Sequence, residues 1–587
     1  MEDKKILLSV KDLEVKFRVR SRILTAIRGI TLDIYENESI AIVGESGSGK
    51  SVFTKTFAGM LDSNGFISNG SVIFDDDELA ETHVTLSNIG KTLLNYTEKR
   101  LVSASSLMYG ADTYKAMHNL KAERKAMGIL SDEEEQSIES EFSELTFQLT
   151  EAVNLKQTLD AKTQKEEIKE LSQKIKELEA QIKAKKDETE KLIKEHKASL
   201  KSNTEYLKKY DEEMSRLKAQ YSEEIKKAPD EEMLSTCKLL ANEIYLSVGR
   251  YKLRKRFQTI RKLISLCRKA MRQGEDFSNP EVRAKIFEEA ALHVRFIERK
   301  DDTLYGRCIV NVAKIKYPED WSEIRGSKIA TVFQDPMTSL NPIMTIGKQI
   351  SSIIMKHQNV PEAEARSRAI ILMKKVGIPN AENRYDDYPF QYSGGMRQRI
   401  VIAIALSCCP KILICDEPTT ALDVTIQAQI LQLLKDLQHE YNYTIVFITH
   451  DLGVVANIAD RVGVLYAGQL IEVGTVEEIF YDPKHPYTWA LLSSLPQLAQ
   501  RDTVLYSITG TPPSLYNKIT GDAFAPRNPY CLKVDTLEDP PMFKITDTHY
   551  AKTWLLDPRA PKIDKPDIIR DIHGKLLKTY HLEEEEK

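Results

Sequence analysis

ESIAIVGESGSGKSVFTKTFAG, residues 38–59, decides how the rest of the chain is read. The apolar run before Gly44 is the pattern of a buried strand, the glycines open a turn, and the residues from Val52 to Gly59 suit a helix. Gly44, Ser46, Gly47, Ser48, Gly49, Lys50 and Ser51 lie in the spacing GxxxxGK[ST]. Glycines there let backbone N–H groups converge on phosphate oxygens at a helix N-terminus, while the Lys50 ammonium neutralises the outer phosphates and the Ser51 hydroxyl ligates Mg²⁺. Strand, loop and helix in this order predict an α/β domain whose ligand is ATP with Mg²⁺.

Two further stretches carry chemistry. KILICDE, residues 411–417, is an apolar strand that delivers two carboxylates at its C-terminal end, where open α/β sheets place their ligands. Asp416 can hold Mg²⁺ through water, and Glu417 can polarise an attacking water as general base. YSGGMRQR, residues 392–399, opens a helix whose dipole and free N–H groups at Ser393, Gly394 and Gly395 suit a γ-phosphate.

YSGGMRQR just upstream of the acidic strand resembles the signature motif of ATP-binding-cassette proteins. The resemblance extends residue by residue: Gln334 in FQDP is similar to the Q-loop, Ala421-Leu422-Asp423 to the D-loop, His450 in ITHD to the switch histidine, and Phe17 to the aromatic that stacks on adenine. It implies that Gln334 senses Mg²⁺ and couples to the membrane subunit, that His450 contacts the γ-phosphate, and that the signature serves the nucleotide of the opposite subunit. FQDPMTSLNP, DEPTTALDVTIQAQI, ITHDLGVVA and HPYTWALL resemble the D-type ATPase subunits of oligopeptide and dipeptide permeases, over about residues 6–78 and 319–560. The resemblance implies an importer ATPase working as a heterodimer with an F-type ATPase. Two transmembrane permease subunits and an extracytoplasmic peptide-binding protein complete the implied assembly, with this chain peripheral on the cytoplasmic face of the membrane.

Four regions are expected: a first part of the nucleotide domain at 1–78, an inserted helical domain at 79–318, the second part of the nucleotide domain at 319–482, and a C-terminal domain of the oligopeptide-transporter type with its tail at 483–587. The fold class is α/β, a P-loop cassette with a helical insertion. From Leu79 to Pro318 Lys and Glu dominate, with no proline between Ile40 and Ala228. Ser131-Asp132-Glu133-Glu134 reads as a capping box, and a heptad runs through Ile168, Leu171, Ile175, Leu178 and Ile182, then Leu192. Unbroken, Ser131 to Ala228 would make roughly 150 Å of helix, so a hairpin folding back near Ser199 to Asn203 is expected. A second helical part, Asp230 to Lys300, carries Leu253, Phe257, Ile260, Leu263, Ile264 and Cys267 at helical spacing under a basic face. That face reads as solvated and packed on the hairpin, with anionic lipid or nucleic acid as the other partners it could meet.

A formal net charge of -4 gives no global basic excess for nucleic acid, and none is expected as partner. The seven cysteines form no CxxC pair, which signals neither a disulfide framework nor a zinc site. The N-terminus has no apolar stretch of signal-peptide length, and the longest apolar run, Ile400 to Cys409, is half a bilayer span. Many D-type subunits carry C-terminal cysteines that hold an iron–sulfur cluster. Here Asp522, Asn528, Asp535 and Lys552 stand in those places and Cys531 is left alone, so no cluster is expected. Two alternatives stay open: an importer ATPase for nickel or glutathione, and a coiled-coil chromosome-maintenance or repair ATPase. Against the latter, the insertion precedes Gln334 instead of following it.

Overall fold

Alternating apolar residues build an antiparallel sheet from β1 (Ile6–Val19), β2 (Arg22–Tyr35) and, after the short central strand β3 (Ser39–Val43) of a second sheet, β4 (Gly65–Phe74). β1 lies in the middle, with Leu8 opposite Ile34 of β2 and Phe74 of β4, and Val10 opposite Leu32 and Val72. Asn69-Gly70, a pair suited to a turn, instead continues β4 opposite a bulge in β1: Gly70 has φ 91, and a Cβ there would stand 2.4 Å from the Asp12 carbonyl oxygen. The Asn69 side chain donates to the Asp12 carboxylate at 2.7 Å and pins that irregularity.

The computed structural model describes residues 4–20, 22–127, 134, 137–138, 140–142, 144–146, 148–149, 152, 165–249, 251–288, 292–315, 321–322, 324–420, 422–494, 508, 510–516, 519–566 and 569. The capping-box residues 131–133, Ala421 and the charged tail 583–587 lie outside the described residues. The chain divides into two compact units: Met1–Thr82, Glu288–His293 and Arg307–Lys587 form one, His83–Phe287 and Val294–Gly306 the other.

The helical unit begins within β5 (Glu81–Thr85), at His83, and includes most of a hairpin of β6 (Leu292–Lys300) and β7 (Thr303–Asn311). These strands interrupt a stretch that the Lys/Glu-rich composition presents as helix. Residues 307–318, expected in the insertion, return in part to the first unit: Val310 and Asn311 of β7 pair with Phe74 and Ile73 of β4. Helices Glu231–Val248 and Leu253–Arg272 bury Leu240, Ile244, Tyr245, Ile260, Leu263 and Cys267, whereas Leu253 and Phe257 of the expected apolar face are exposed. The heptad residues sit in helix Lys165–Ser202, with Leu178 buried. Lys185 of that helix pairs with Glu141 at 2.7 Å and His196 with Glu134 at 3.7 Å, an antiparallel register. The chain has therefore reversed before this helix. Asn203, expected at the fold-back, instead caps the next helix, Thr204–Glu224, accepting from the Tyr206 N–H at 3.1 Å.

The second sheet of the first unit contains five parallel strands, β8 (Ile329–Val332), β9 (Ile412–Asp416), β10 (Thr444–Thr449), β3 and β11 (Arg461–Tyr466). β12 (Gln469–Thr475), β13 (Phe543–Lys544) and β14 (Tyr550–Ala551) extend it antiparallel, giving the order β13-β14-β12-β11-β3-β10-β9-β8. Every residue of β3, β10 and β11 is buried, the signature of parallel strands covered on both faces. On one side Ile350, Ala369, Ile400, Ile430 and Phe447 share a core, and on another Val464, Tyr466, Tyr487, Trp489 and Phe524 bring the C-terminal segment onto the sheet. Because β10 lies between β3 and β9, the loops after Val43, Asp416 and Thr449 leave the sheet side by side. No helix among the described residues is long and apolar enough to cross a membrane.

Candidate active site

The loop after β3 is shaped by its glycines. Gly44 has φ 154 and a Cβ on it would stand 2.2 Å from the Leu465 carbonyl oxygen, while Gly49, at φ 102, turns the chain into helix Lys50–Phe57. Only glycine fits both places. Lys50, 6% exposed, donates to the carbonyl oxygens of Gly44 at 2.7 Å and Glu45 at 3.0 Å. Burial lowers the pKa of its ammonium, and the charges of Glu417, Asp416 and Glu45 oppose that shift.

The carboxylates at the end of β9 meet this loop. The Ser51 hydroxyl donates to Asp416 Oδ1 at 3.0 Å; burial raises the Asp416 pKa, and that hydrogen bond opposes it. Glu417 adopts φ 45, left-handed for a residue with a side chain, and its N–H donates to the Ile448 carbonyl at 3.0 Å. Three side chains gather on its carboxylate. Gln334 Nε2 and Thr420 Oγ1 each donate to Oε2 at 3.1 Å, and His450 Nδ1 lies 3.2 Å from Oε1. Both oxygens are thereby oriented, as a group that takes a proton from water requires.

Phe17, Ser46, Gly47, Gly49, Lys50, Ser51, Gln334 and Glu417 line one cleft of 530 Å³. Phe17 pairs with Leu24 and with Gly65, whose missing side chain leaves room for the ring: a Cβ there would stand 2.7 Å from Phe17 Cε1. Ser48 is buried beneath the loop. Ser393, Gly394, Gly395 and Asp423 are not among the residues lining this cleft. Ser393 and Asp423 cap the helices Gly394–Leu406 and Val424–Tyr441, accepting from the N–H groups of Met396 and Ile426. Ser393 and Gly394 are exposed, so that helix N-terminus is open to an outside ligand.

Sequence reasoning missed several contributors. Thr420 sits three positions after Glu417, and its place in DEPTT was a usable signal. Asp62, Asn64 and Leu515 line the cleft without any local motif; the Thr25 N–H donates to the Leu515 carbonyl at 3.3 Å, which ties residues far apart in sequence.

Oxygen donors from Ser51 and Asp416 suit a hard cation such as Mg²⁺, and Gln334 reaches the same cleft. The expected cluster positions have other occupations. Asp522, Asn528 and Asp535 are buried and accept from the N–H groups of Phe524 at 3.0 Å, Tyr530 at 2.9 Å and Leu532 at 2.6 Å, while Lys552 pairs with Asp539 at 2.5 Å. Burial pushes the Asp522 carboxyl up to about 6. Carboxylates, an amide and an ammonium do not fit an iron–sulfur cluster, which takes about four cysteine thiolates.

A parallel sheet with a glycine-rich phosphate loop, and a paired aspartate and glutamate at the end of the strand two places away, define a nucleotide-triphosphate hydrolase. The ABC transporter family model matches residues 27–250 and 294–420, and the model of the oligopeptide/dipeptide transporter C-terminal region matches residues 471–534. The chain belongs to the ABC transporter family, and it is an ATPase of that family. It is similar to the oligopeptide transport ATP-binding protein AmiE of Streptococcus pneumoniae, 64% identical over 258 residues, 44% of this chain and 73% of that protein. It is also similar to the oligopeptide transport ATP-binding protein OppD of Bacillus subtilis, 56% identical over 286 residues, 49% of this chain and 79% of that one. The dipeptide transport ATP-binding protein DppD of Lactococcus lactis is 59% identical over 252 residues, 43% of this chain and 72% of the relative.

Proposed function

We propose that this chain is the ATP-hydrolysing subunit of an importer for oligopeptides or dipeptides. The observation that carries the reading is the gathering of Gln334, Thr420 and His450 on Glu417, beside a phosphate loop whose Ser51 is bonded to Asp416. The C-terminal match and the names of the relatives support the peptide cargo.

In this reading Phe17 stacks on the adenine, and the amides from Gly44 to Ser51 together with Lys50 hold the phosphates. Ser51, Asp416 and Gln334 hold Mg²⁺, which when bound neutralises charge on the outer phosphates. Glu417 accepts a proton from the attacking water, and His450 and Gln334 fix its oxygens so that the lone pair faces the water. Ser393, Gly394 and Gly395, open at a helix N-terminus, bind the γ-phosphate held by a second ATPase subunit, and Asp423 lies at the start of the segment that meets that subunit. One chain carries one set of these residues, so a partner of the F type supplies the other. Two membrane permease subunits and an extracytoplasmic peptide-binding protein complete the assembly at the cytoplasmic face, with no nucleic acid involved.

The test is affinity purification of the chain from its native membranes, with mass spectrometry of what stays bound. Two polytopic proteins, a second cassette ATPase and a peptide-binding protein are the expected company. Recovery of DNA-associated proteins and no permease would overturn the importer reading.

A further inference from the structure

Glu45 is the second residue of the phosphate loop, and all of its polar groups are engaged. Its carboxylate takes both ends of the Arg527 guanidinium, Nη1 to Oε2 at 2.9 Å and Nη2 to Oε1 at 3.1 Å. Its N–H donates to the Tyr487 hydroxyl oxygen at 2.9 Å, and its carbonyl accepts from Lys50. The Arg527 side chain is 5% exposed and also donates to the Tyr466 hydroxyl at 3.1 Å. Tyr466, Tyr487 and Phe524 pack as an aromatic trio, with ring centroids 4.6 to 5.4 Å apart. Arg527 and Tyr487 therefore reach the loop from a rigid platform made largely by the segment after residue 483.

A carboxylate in a loop built to receive phosphates is an electrostatic conflict. The bidentate guanidinium resolves it by neutralising Glu45 and holding it aside. The Tyr487 hydroxyl adds a second constraint, because it fixes the plane of the Gly44–Glu45 peptide and so the direction in which the following amides point. We propose that Arg527 and Tyr487 are positioning residues of the nucleotide site, which hold Glu45 by its side chain and its backbone and thereby set the affinity of the phosphate loop for ATP. The C-terminal segment is then part of the nucleotide site as well as an attachment to the cassette.

The proposal rests on the ATP site described above, and the two fail separately. If the wild-type full chain binds no Mg·ATP, the site reading falls. If it binds and the variants below match it, only the positioning role falls. The measurements are the Kd of a fluorescent ATP analogue, the split of ATPase activity into KM and kcat, and melting without nucleotide, on Arg527→Gln, Arg527→Lys, Tyr487→Phe, Glu45→Gln and the double variant Glu45→Gln/Arg527→Gln. Loss of a charge-assisted pair in R527Q should weaken binding about tenfold, and loss of one hydroxyl in Y487F about threefold, with the effect on KM rather than kcat. R527K should recover part of the loss, because it restores charge without the fork. The double variant should bind better than R527Q alone, since no stranded carboxylate remains. Variants that melt lower yet bind ATP within twofold of wild type would show a purely structural clamp and overturn the proposal. Should R527Q not fold, Y487F and E45Q decide it on the same criterion.

Discussion

The unit that carries the phosphate loop and the helical unit inserted into it bury charged groups to different extents. In the first, several buried charges come in matched sets, while Asp522 and Asp535 are held by backbone N–H groups. Arg461 faces Glu38 at 3.1 Å, Arg527 faces Glu45, and Glu472 accepts from the N–H groups of Lys484 and His485 while lying 2.9 Å from His549 Nε2. In the second, Leu240, Ile244, Tyr245, Ile260 and Leu263 form an apolar interior, and one glutamate stands out among them. Glu243 is 1% exposed and has the Arg283 Nε at 3.3 Å. Strand ends that must orient charges on a ligand need preorganised partners, whereas a scaffold can rely on area removed from water. The residues suited to chemistry on ATP therefore all lie in the first unit.

The severest way to break that division is at Glu417. Glu417→Gln keeps the shape of the cleft and removes the base, so phosphate release should drop by about 100- to 10,000-fold while ATP binding persists. Hydrolysis at the wild-type rate would strip Glu417 of its role. A smaller effect sharpens where the division runs. Joining Thr82 to Arg307 keeps Asn311, which is fully buried and accepts from the Val72 N–H at 3.1 Å, and keeps Val310 and Val312, both buried. Joining residue 78 to residue 319 discards them, and should cost a further roughly 3 to 5 kcal/mol in denaturant unfolding. Equal stability of the two deletions would show that the return of β7 to the first sheet adds nothing. Both should retain ATP binding, because no residue lining the cleft lies between 83 and 306.

The smallest effect concerns pH and Glu243, the one buried acid among the described residues of the helical unit. Burial pushes the Glu243 carboxyl up to about 7, against the opposing charge of Arg283. Between the ordinary carboxylate range and about pH 7 the folded unit therefore holds a proton that the unfolded chain has lost. Stability falls as pH rises through that window and is level above it, by at most about 3 kcal/mol. Hydrogen exchange in the amides of Glu231–Val248 should quicken from pH 5 to pH 7.5 beyond its intrinsic dependence, and Glu243→Gln should remove the excess. A profile unchanged by E243Q would mean that this carboxylate is not held neutral by its surroundings.

What could be read from sequence follows the range of the interactions. The phosphate loop, Asp416-Glu417 and Ser393-Gly394-Gly395 announce themselves because each is a short run whose backbone needs glycine or whose strand must end in charge. The heptad from Ile168 to Ile182 is likewise local. Asn69-Gly70 has the chemistry of a turn but lies inside β4, opposite the bulge that the neighbouring strand makes at Asp12. The β6–β7 hairpin was hidden by composition, although LHVRFIERK alternates and Asp301-Asp302 marks the reversal, with Asp301 at φ 49. Helix Lys165–Ser202 lies in register with an earlier part of the chain, where Lys185 meets Glu141, and no periodicity within one helix can specify that. Leu515 and Arg527 reach the cleft and its loop from more than 400 positions away, and only the packed sheet brings them there.

None of the seven cysteines is in a disulfide, which has a practical consequence. Cys237, Cys267, Cys308 and Cys415 are buried, and burial pushes Cys237 up to about 11, Cys267 up to about 12 and Cys415 higher still. Cys409, just past the helix that begins at the signature glycines, and Cys531, in the C-terminal segment, are exposed. A maleimide dye at neutral pH will therefore react first at these two places. The natural chain already carries a pair of spectroscopic attachment points, and the distance between them can be followed through the ATPase cycle without engineering a single cysteine.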